Sequence, residues 1–173
     1  EAYNEYGRKT NESYRFISSP DNDKIRLINK LGRKKYRDKR GEFVIEGINL
    51  VRAALSKAQH IKFVLISDDF DYGDIADELA EGVEYRNIYL IPRYLFDKIS
   101  DAENGSGIIA VVDKSSYRLD TIDSLESIGT NNILVLDRLQ DPGNIGTMIR
   151  TAVATGYSII ATIKGTADVF SPK

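Results

Sequence analysis

A polar segment directly after an apolar strand carries the residues of this chain that are best suited to chemistry. It reads DPGNIGTMIRTA over residues 141–152, and it follows the apolar residues 133–136. Asn144 offers an amide, and Arg150 offers a guanidinium that stays charged and can hold a phosphate through two parallel hydrogen bonds. A strand followed by a polar turn and a helix places such groups at the carboxyl edge of a sheet, where α/β proteins bind ligands. We call residues 141–152 the DPGN segment.

The second half of the DPGN segment is predicted to form a helix with two different faces. Five apolar residues recur at helical spacing and predict a face that packs on the sheet: Ile145, Met148, Ile149, Ala152 and Val153. Thr147 and Arg150 fall on the opposite face. We expect Pro142 and Gly143 to make a turn and Asn144 to lie at or near the N-cap. An alternative stays open, since DPGN is also an ordinary turn-and-cap sequence in which Arg150 is simply solvated.

The elements before the DPGN segment alternate between strand and helix. Short apolar, β-branched runs predict strands at residues 43–45, 63–66, 88–90 and 108–112. Helical spacing predicts helices between them, among them one that starts after Pro92 and ends near Ile99. Such alternation indicates an α/β fold with a mainly parallel layer.

Breaks in the pattern divide the chain into four parts. Residues 1–20 are predicted to be an N-terminal extension, and residues 21–113 a first α/β domain. Residues 114–130 are rich in Ser, Thr and Asp and are predicted to be a linker with a short helix near its middle. The strand–helix pattern then restarts in a second, incomplete domain over residues 131–173.

Composition narrows the classes of protein that this sequence can encode. There is no cysteine and one histidine, His60, so disulfides and thiolate metal sites are excluded and no metal is expected. No stretch approaches the run of about 18 apolar residues that a transmembrane helix needs, and no secretory signal opens the chain. We therefore expect a cytoplasmic protein that does not bind membranes.

The net charge of −2 hides a strong asymmetry. Residues 24–40, the basic stripe, contain nine basic residues and one acidic residue, whereas residues 68–103 contain eleven acidic and three basic residues. A local concentration of cations is the pattern typical of nucleic-acid binding, and Tyr36 within it offers a surface for stacking a base. The main candidates for RNA contact are Arg33, Lys34, Lys35 and Arg37. The alternative is that the stripe is a solvated helix face that serves solubility.

The spelling of the DPGN segment resembles the first signature motif of the SpoU (TrmH-like) RNA 2′-O-ribose methyltransferases, which belong to the SPOUT superfamily. Asn144 and Arg150 occupy motif positions that line the active site in that family. Residues 41–47, which read GEFVIEG, resemble the family's N-terminal substrate-binding domain, and NGSG at residues 104–107 is similar to its last loop. Residues 164–173 resemble the stretch between the first and second motifs.

This resemblance implies a fold and an activity. The fold would be a small ribosomal-protein-like α/β RNA-binding domain followed by the start of a knotted SPOUT α/β methyltransferase domain. The activity would be S-adenosylmethionine-dependent 2′-O-ribose methylation of structured RNA, ribosomal RNA in preference to transfer RNA, by a homodimer. Asn144 and Arg150 would be catalytic, and Arg150 would position the RNA and stabilise charge.

The second and third family motifs do not occur in these residues. We therefore expect the chain to be a fragment that lacks part of the cofactor pocket, whose binding residues would follow Lys173, and to be inactive alone. Two alternatives remain open at this stage. One is a noncatalytic RNA-binding module, in which the residues before Lys114 carry the function; the other is a nucleotide-binding domain that holds phosphate with residues 141–146. No P-loop or GxGxxG pattern is present.

Overall fold

The computed structural model describes residues 14–101, 105–114, 132–157 and 159–171. They belong to two compact units that divide near residue 115. Most of the predicted N-terminal extension, the linker beyond Lys114 with its short helix, and Asn104 lie outside the described residues.

The first unit is built from strands and helices in alternation. Its strands are β1 (Arg15–Phe16), β2 (Glu42–Glu46), β3 (Ile61–Ser67), β4 (Ile88–Ile91) and β5 (Ile108–Asp113). Its α-helices are α1 (Asp23–Leu31), α2 (Lys34–Arg40), α3 (Ile48–Ser56), α4 (Ala76–Gly82) and α5 (Arg93–Ile99). The four predicted strands and the helix after Pro92 are confirmed.

The strands form one mixed sheet in the order β1-β4-β3-β5-β2. The predicted parallel pairing holds for β1, β4 and β3, but β5 is antiparallel to β3 and β2 is antiparallel to β5. Alternation indicates which elements form, but it does not show from which end a strand enters the sheet. Here the N–H of Ser67 donates to the carbonyl of Gly107 (2.8 Å), which brings the start of β5 beside the end of β3.

The end of the predicted N-terminal extension joins this sheet. Arg15 and Phe16 pair with Tyr89 and Leu90 of β4, and Ile17, which follows them, is buried. A two-residue strand is too short to show an alternating pattern, so the sequence did not predict it.

Helices cover both faces of the sheet, so β3 is buried on either side. Phe63 and Leu65 pack with apolar residues of α1 and α5. Val64 and Ile66 point the other way and pack with apolar residues of α3 and α4. A strand that is covered on both faces reads as a continuous apolar run, as residues 63–66 do.

Glu46, at the end of β2, holds the loop that leads into β5. Its Oε1 accepts hydrogen bonds from the Oγ of Ser100 (2.7 Å) and the N–H of Ser106 (3.1 Å), and its Oε2 accepts one from the N–H of Asp101 (3.3 Å). A carboxylate with this many donors is fixed in place, so Glu46 has a structural role here.

The second unit contains β6 (Ile133–Leu136), α6 (Pro142–Ala154) and β7 (Ile159–Thr162), and β6 and β7 are parallel. The apolar face predicted for α6 is only partly correct. Ile145 and Ala152 are buried, but Met148 is 41% and Val153 is 64% exposed. Two strands cover only a narrow stripe of a helix. Within the part of the chain that the structure describes, the apolar residues outside that stripe are therefore exposed to solvent. In that same part of the chain, no helix is long and apolar enough to cross a bilayer.

Substitution of Gly107 tests how tightly the loop before β5 is packed. Gly107 has φ +80°, and a Cβ there would overlap the ring of Phe70. We expect Gly107→Ala to lower the free energy of unfolding by about 3 kcal/mol, because left-handed strain and overpacking add. Urea denaturation measures this difference.

Gly41→Ala is the matched control. Gly41 also has a positive φ, +65°, but nothing lies within 4 Å of the position of a Cβ. Only the conformational cost of about 1–2 kcal/mol should then remain. Equal losses for the two variants would contradict the packing around Gly107.

Candidate functional site

Asp141 determines where α6 begins. Its Oδ1 accepts hydrogen bonds from the N–H groups of Gly143 (2.7 Å) and Asn144 (3.3 Å), which makes it the N-cap. Pro142 takes the first helical position, where no N–H is needed. The turn predicted at Pro142 and Gly143 is therefore wrong, because both residues are helical. Asn144, predicted at or near the N-cap, lies three residues after it. An aspartate caps a helix as well as an asparagine, and Asp141 comes first in the chain. Asn144 lies exposed in the first turn.

Arg150 lies exposed two turns further along α6. Its Nη2 donates a hydrogen bond to the Oγ1 of Thr147 (3.2 Å), and that hydroxyl donates in turn to the carbonyl of Gly143 (3.0 Å). Among the described residues, no carboxylate forms an ion pair with its guanidinium. The charge of Arg150 is therefore available to an anionic ligand.

A cavity of about 320 Å³ lies beside this guanidinium, at the carboxyl ends of β6 and β7. It is lined by residues of α6 and of the segment after β7: Pro142, Gly143, Ile145, Gly146, Ile149, Arg150, Asp168, Val169 and Ser171. Asn144 is not among the lining residues, so the structure brings only one of the two predicted catalytic residues to the cavity.

The segment after β7 is held against the loop after β6. Thr166 Oγ1 donates to the carbonyl of Leu136 (2.9 Å), and the N–H of Ala167 donates to the carbonyl of Leu139 (2.7 Å). These bonds bring Asp168 and Ser171 to the cavity. Sequence reasoning did not select either residue, although both follow a strand whose carboxyl end meets the same sheet edge as that of β6.

Three of the four predicted RNA contacts in the basic stripe are exposed: Arg33, Lys34 and Lys35. Lys34 is paired, since its Nζ lies 2.9 Å from Asp38. Hydrogen bonds from Lys114 and Lys34 lower the pKa of Asp38 to about 2. Asp38 thus offsets part of the charge of Lys34 at neutral pH, whereas no ion pair is found for Arg33 or Lys35 among the described residues.

Arg37, the fourth predicted RNA contact, is buried and therefore does not present its charge at the surface. Its side chain is 3% exposed, and its Nη1 donates to the carbonyl of Leu31 (2.6 Å) at the end of α1. A carbonyl near the C-terminus of a helix has no partner within the helix, and a cation is favourable there. Arg37 therefore joins α2 to α1. A run of basic residues in the sequence does not reveal that Arg37 is buried, because its burial depends on how α2 packs against α1.

The described residues contain no group of three His, Cys, Asp or Glu side chains that could hold a metal ion. The site as described therefore consists of hydrogen-bonding groups and fixed charges.

Known proteins resemble this chain over both of its units. Residues 22–110 match the family described as the MRM3-like substrate-binding domain. The crystal structure of the SpoU methyltransferase AviRb from Streptomyces viridochromogenes, in complex with the cofactor AdoMet, covers 88% of this chain and 57% of its own, at 25% identity and a TM-score of 0.72. This chain belongs to the SpoU family of the SPOUT superfamily. The resemblance of the DPGN segment and the predicted α/β fold class are thereby confirmed.

Two further proteins are similar over nearly the whole chain. The 23S rRNA (guanosine(2553)-2′-O)-methyltransferase RlmP of Bacillus subtilis is 34% identical over 157 residues, which are 91% of this chain and 58% of that protein. An rRNA methyltransferase from Sinorhizobium meliloti matches in its crystal structure at 26% identity and a TM-score of 0.74, over 92% of this chain and 58% of that one. The chain thus spans less than two thirds of the length of the relatives it matches.

Neutralising the exposed cations of the stripe tests the RNA contact predicted for this SpoU chain. We expect Arg33→Gln with Lys35→Gln to weaken binding of 23S rRNA transcribed in vitro, and to reduce the slope of log affinity against log salt by about 0.7–0.9 for each phosphate that is no longer neutralised. The free energy of unfolding should stay within about 0.5 kcal/mol of the original, since both side chains are at the surface. Filter binding over a salt series measures the slope.

Two control variants separate charge from structure. Lys57→Gln removes an exposed cation outside the stripe and should leave the salt slope unchanged. Arg37→Met should instead lower the free energy of unfolding by about 1–3 kcal/mol, because the buried carbonyl of Leu31 loses a charged donor. An unchanged salt slope for the double variant would make the stripe a solubility feature.

Proposed function

We propose that the protein containing this chain is an S-adenosylmethionine-dependent RNA 2′-O-ribose methyltransferase that acts on ribosomal RNA. The observation that carries the proposal is the position of Arg150: a guanidinium without a carboxylate partner among the described residues, beside a cavity at the carboxyl ends of β6 and β7. The relatives support the class, since two are rRNA methyltransferases by name and the SpoU methyltransferase AviRb was crystallised with AdoMet.

The chemistry of the reaction assigns a role to Arg150. Methylation of a ribose 2′-hydroxyl would form an O–CH3 bond and break the S–CH3 bond of the methyl donor, whose sulfur would keep the electron pair. The hydroxyl proton would pass to water, and negative charge develops on the 2′-oxygen as this proton leaves. A guanidinium stays protonated in proteins, so it does not accept this proton. It can bind the neighbouring phosphate through two hydrogen bonds and stabilise the charge that develops on the oxygen. Asn144 is proposed to bind substrate through its amide, from the exposed first turn of the same helix.

When bound, S-adenosylmethionine supplies the electrophilic methyl group. The cavity beside Arg150 is small for a cofactor site, and its described lining offers few groups that could hold the cofactor. At about 320 Å³ it is at the small end of the range of about 300–1,000 Å³ for ligand sites. Among the described lining residues there is no aromatic side chain on which adenine could stack. We therefore assign no cofactor-binding residue to this chain.

The first unit is proposed to recognise the RNA. Its support is the match to a substrate-binding domain over residues 22–110 together with the exposed cations of the basic stripe. In this proposal residues 21–113 bind substrate, residues 114–130 link the domains, and residues 131–173 belong to the methyltransferase domain. Phosphate contacts by Arg33, Lys34 and Lys35 would fix the position of the RNA and would not read its bases.

We also propose that the protein is a homodimer in the cytoplasm. The support is the resemblance to a family that works as homodimers, together with a sequence that contains no cysteine. Light scattering coupled to size exclusion tests the oligomeric state directly.

Substitution of Arg150 tests the proposed activity. We expect Arg150→Ala, in the intact product of the gene that encodes this sequence, to reduce methyl transfer at least about a hundredfold, as loss of one charge-stabilising group does. Stability should be largely kept, because the side chain is exposed. The assay follows labelled methyl from S-adenosylmethionine into unmodified 23S rRNA, and 2′-O-methylation is recognised because it makes the adjacent phosphodiester resistant to alkali.

Arg86→Ala, which removes an exposed arginine of the first unit, is the control and should keep full activity. Near-normal turnover by Arg150→Ala would contradict the role of that residue. If the unsubstituted protein binds rRNA but transfers no methyl group, the noncatalytic RNA-binding module becomes the better description.

A further inference from the structure

The guanidinium of Arg150 is held by a chain of two hydrogen bonds within its own helix. A threonine hydroxyl has one hydrogen and two lone pairs. In Thr147 the hydrogen is donated to the carbonyl of Gly143 (3.0 Å), so the oxygen faces Arg150 as an acceptor for Nη2 (3.2 Å). The direction of the relay is therefore determined, and it leaves Nη1 and Nε to donate elsewhere.

The same guanidinium lies over Gly146. A Cβ at that residue would be 3.3 Å from Nη1 of Arg150, closer than side chains normally pack. Gly146 is inside the helix, and its φ is not among the positive values found in this chain. The backbone therefore does not need glycine at this position. The space that glycine leaves is occupied by the guanidinium.

Neither residue is a good choice for the helix itself. Glycine in a helix interior is less favourable than alanine, and threonine is also a weak helix former. Both are exposed or half-exposed, so core packing does not explain them. What the two positions share is the side chain of Arg150, which donates a hydrogen bond to Thr147 and lies close to Gly146.

We propose that Gly146 and Thr147 are positioning residues that hold the guanidinium of Arg150 against the helix and at the edge of the cavity. This inference rests on the proposed function, since it concerns the residue that would bind the phosphate and stabilise the developing charge. A cation held in place before the substrate arrives need not reorganise during the reaction, and misplacement by about 1 Å can cost about a hundredfold in rate.

The experiment uses Thr147→Val, which keeps the shape of the side chain and removes the acceptor, and Thr147→Ser, which restores it. Thr155→Val is the matched control, because the Oγ1 of Thr155 donates to the carbonyl of Thr151 (2.9 Å) in the same way but has no contact with Arg150. Gly146→Ala adds a single methyl group 3.3 Å from Nη1 of Arg150, so the guanidinium must shift by a few tenths of an ångström. Each variant is measured for its melting temperature, the order parameter of the Arg150 Nε–H group by NMR, and kcat and KM for methyl transfer to 23S rRNA.

We expect Thr147→Val to lower both the order parameter and kcat, the latter about tenfold, while Thr147→Ser and Thr155→Val stay close to the original protein. Gly146→Ala should keep or raise the melting temperature, because alanine is the better helix former, and yet lower kcat severalfold. A purely structural role would instead move stability and activity in the same direction.

The inference is overturned if the Arg150 order parameter in Thr147→Val and Gly146→Ala equals that in Thr155→Val. It is also overturned if the order parameter falls while kcat stays unchanged in a protein whose activity Arg150→Ala abolishes. If the proposed function itself is wrong, the unsubstituted protein transfers no methyl group. The NMR comparison then still shows whether Gly146 and Thr147 hold the guanidinium.

Discussion

Burial of β3 on both faces is the constraint on which the first unit depends. Because its side chains alternate between two apolar clusters, each face must be covered, and α1 with α5 and α3 with α4 provide that cover. The helix α2 contributes no apolar residue to either cluster. It can therefore present cations to solvent, and Arg37 attaches it to the end of α1.

The second unit obtains its order from local interactions instead. Asp141 caps α6, Pro142 begins it, and Thr147 bonds back to the first turn, so each determinant of the position of Arg150 lies within ten residues. Tertiary packing contributes the cavity, through the hydrogen bonds that place Asp168 and its neighbours opposite the helix. The charge at the site and the space beside it thus have separate origins.

Prediction from sequence succeeded where a property repeats along the chain. Strands at residues 63–66 and 108–112 appear as continuous apolar runs, and the helix predicted to start after Pro92 and end near Ile99 is α5. It failed where a property depends on a second element. The antiparallel entry of β5, the burial of Arg37 and the exposure of Met148 depend on which neighbour is present, and periodicity carries no information about that neighbour.

By itself, the sequence determined the order of most of the elements and the concentration of positive charge before residue 41. It also determined the family, because the DPGN segment is a continuous motif that can be read without knowing the fold. Only the tertiary structure decided which cations reach solvent and which strands pair. It also decided which residues after β7 join Arg150. The physical reason is that burial and pairing are relations between segments distant in the chain, whereas capping, helical spacing and local charge are relations between neighbours.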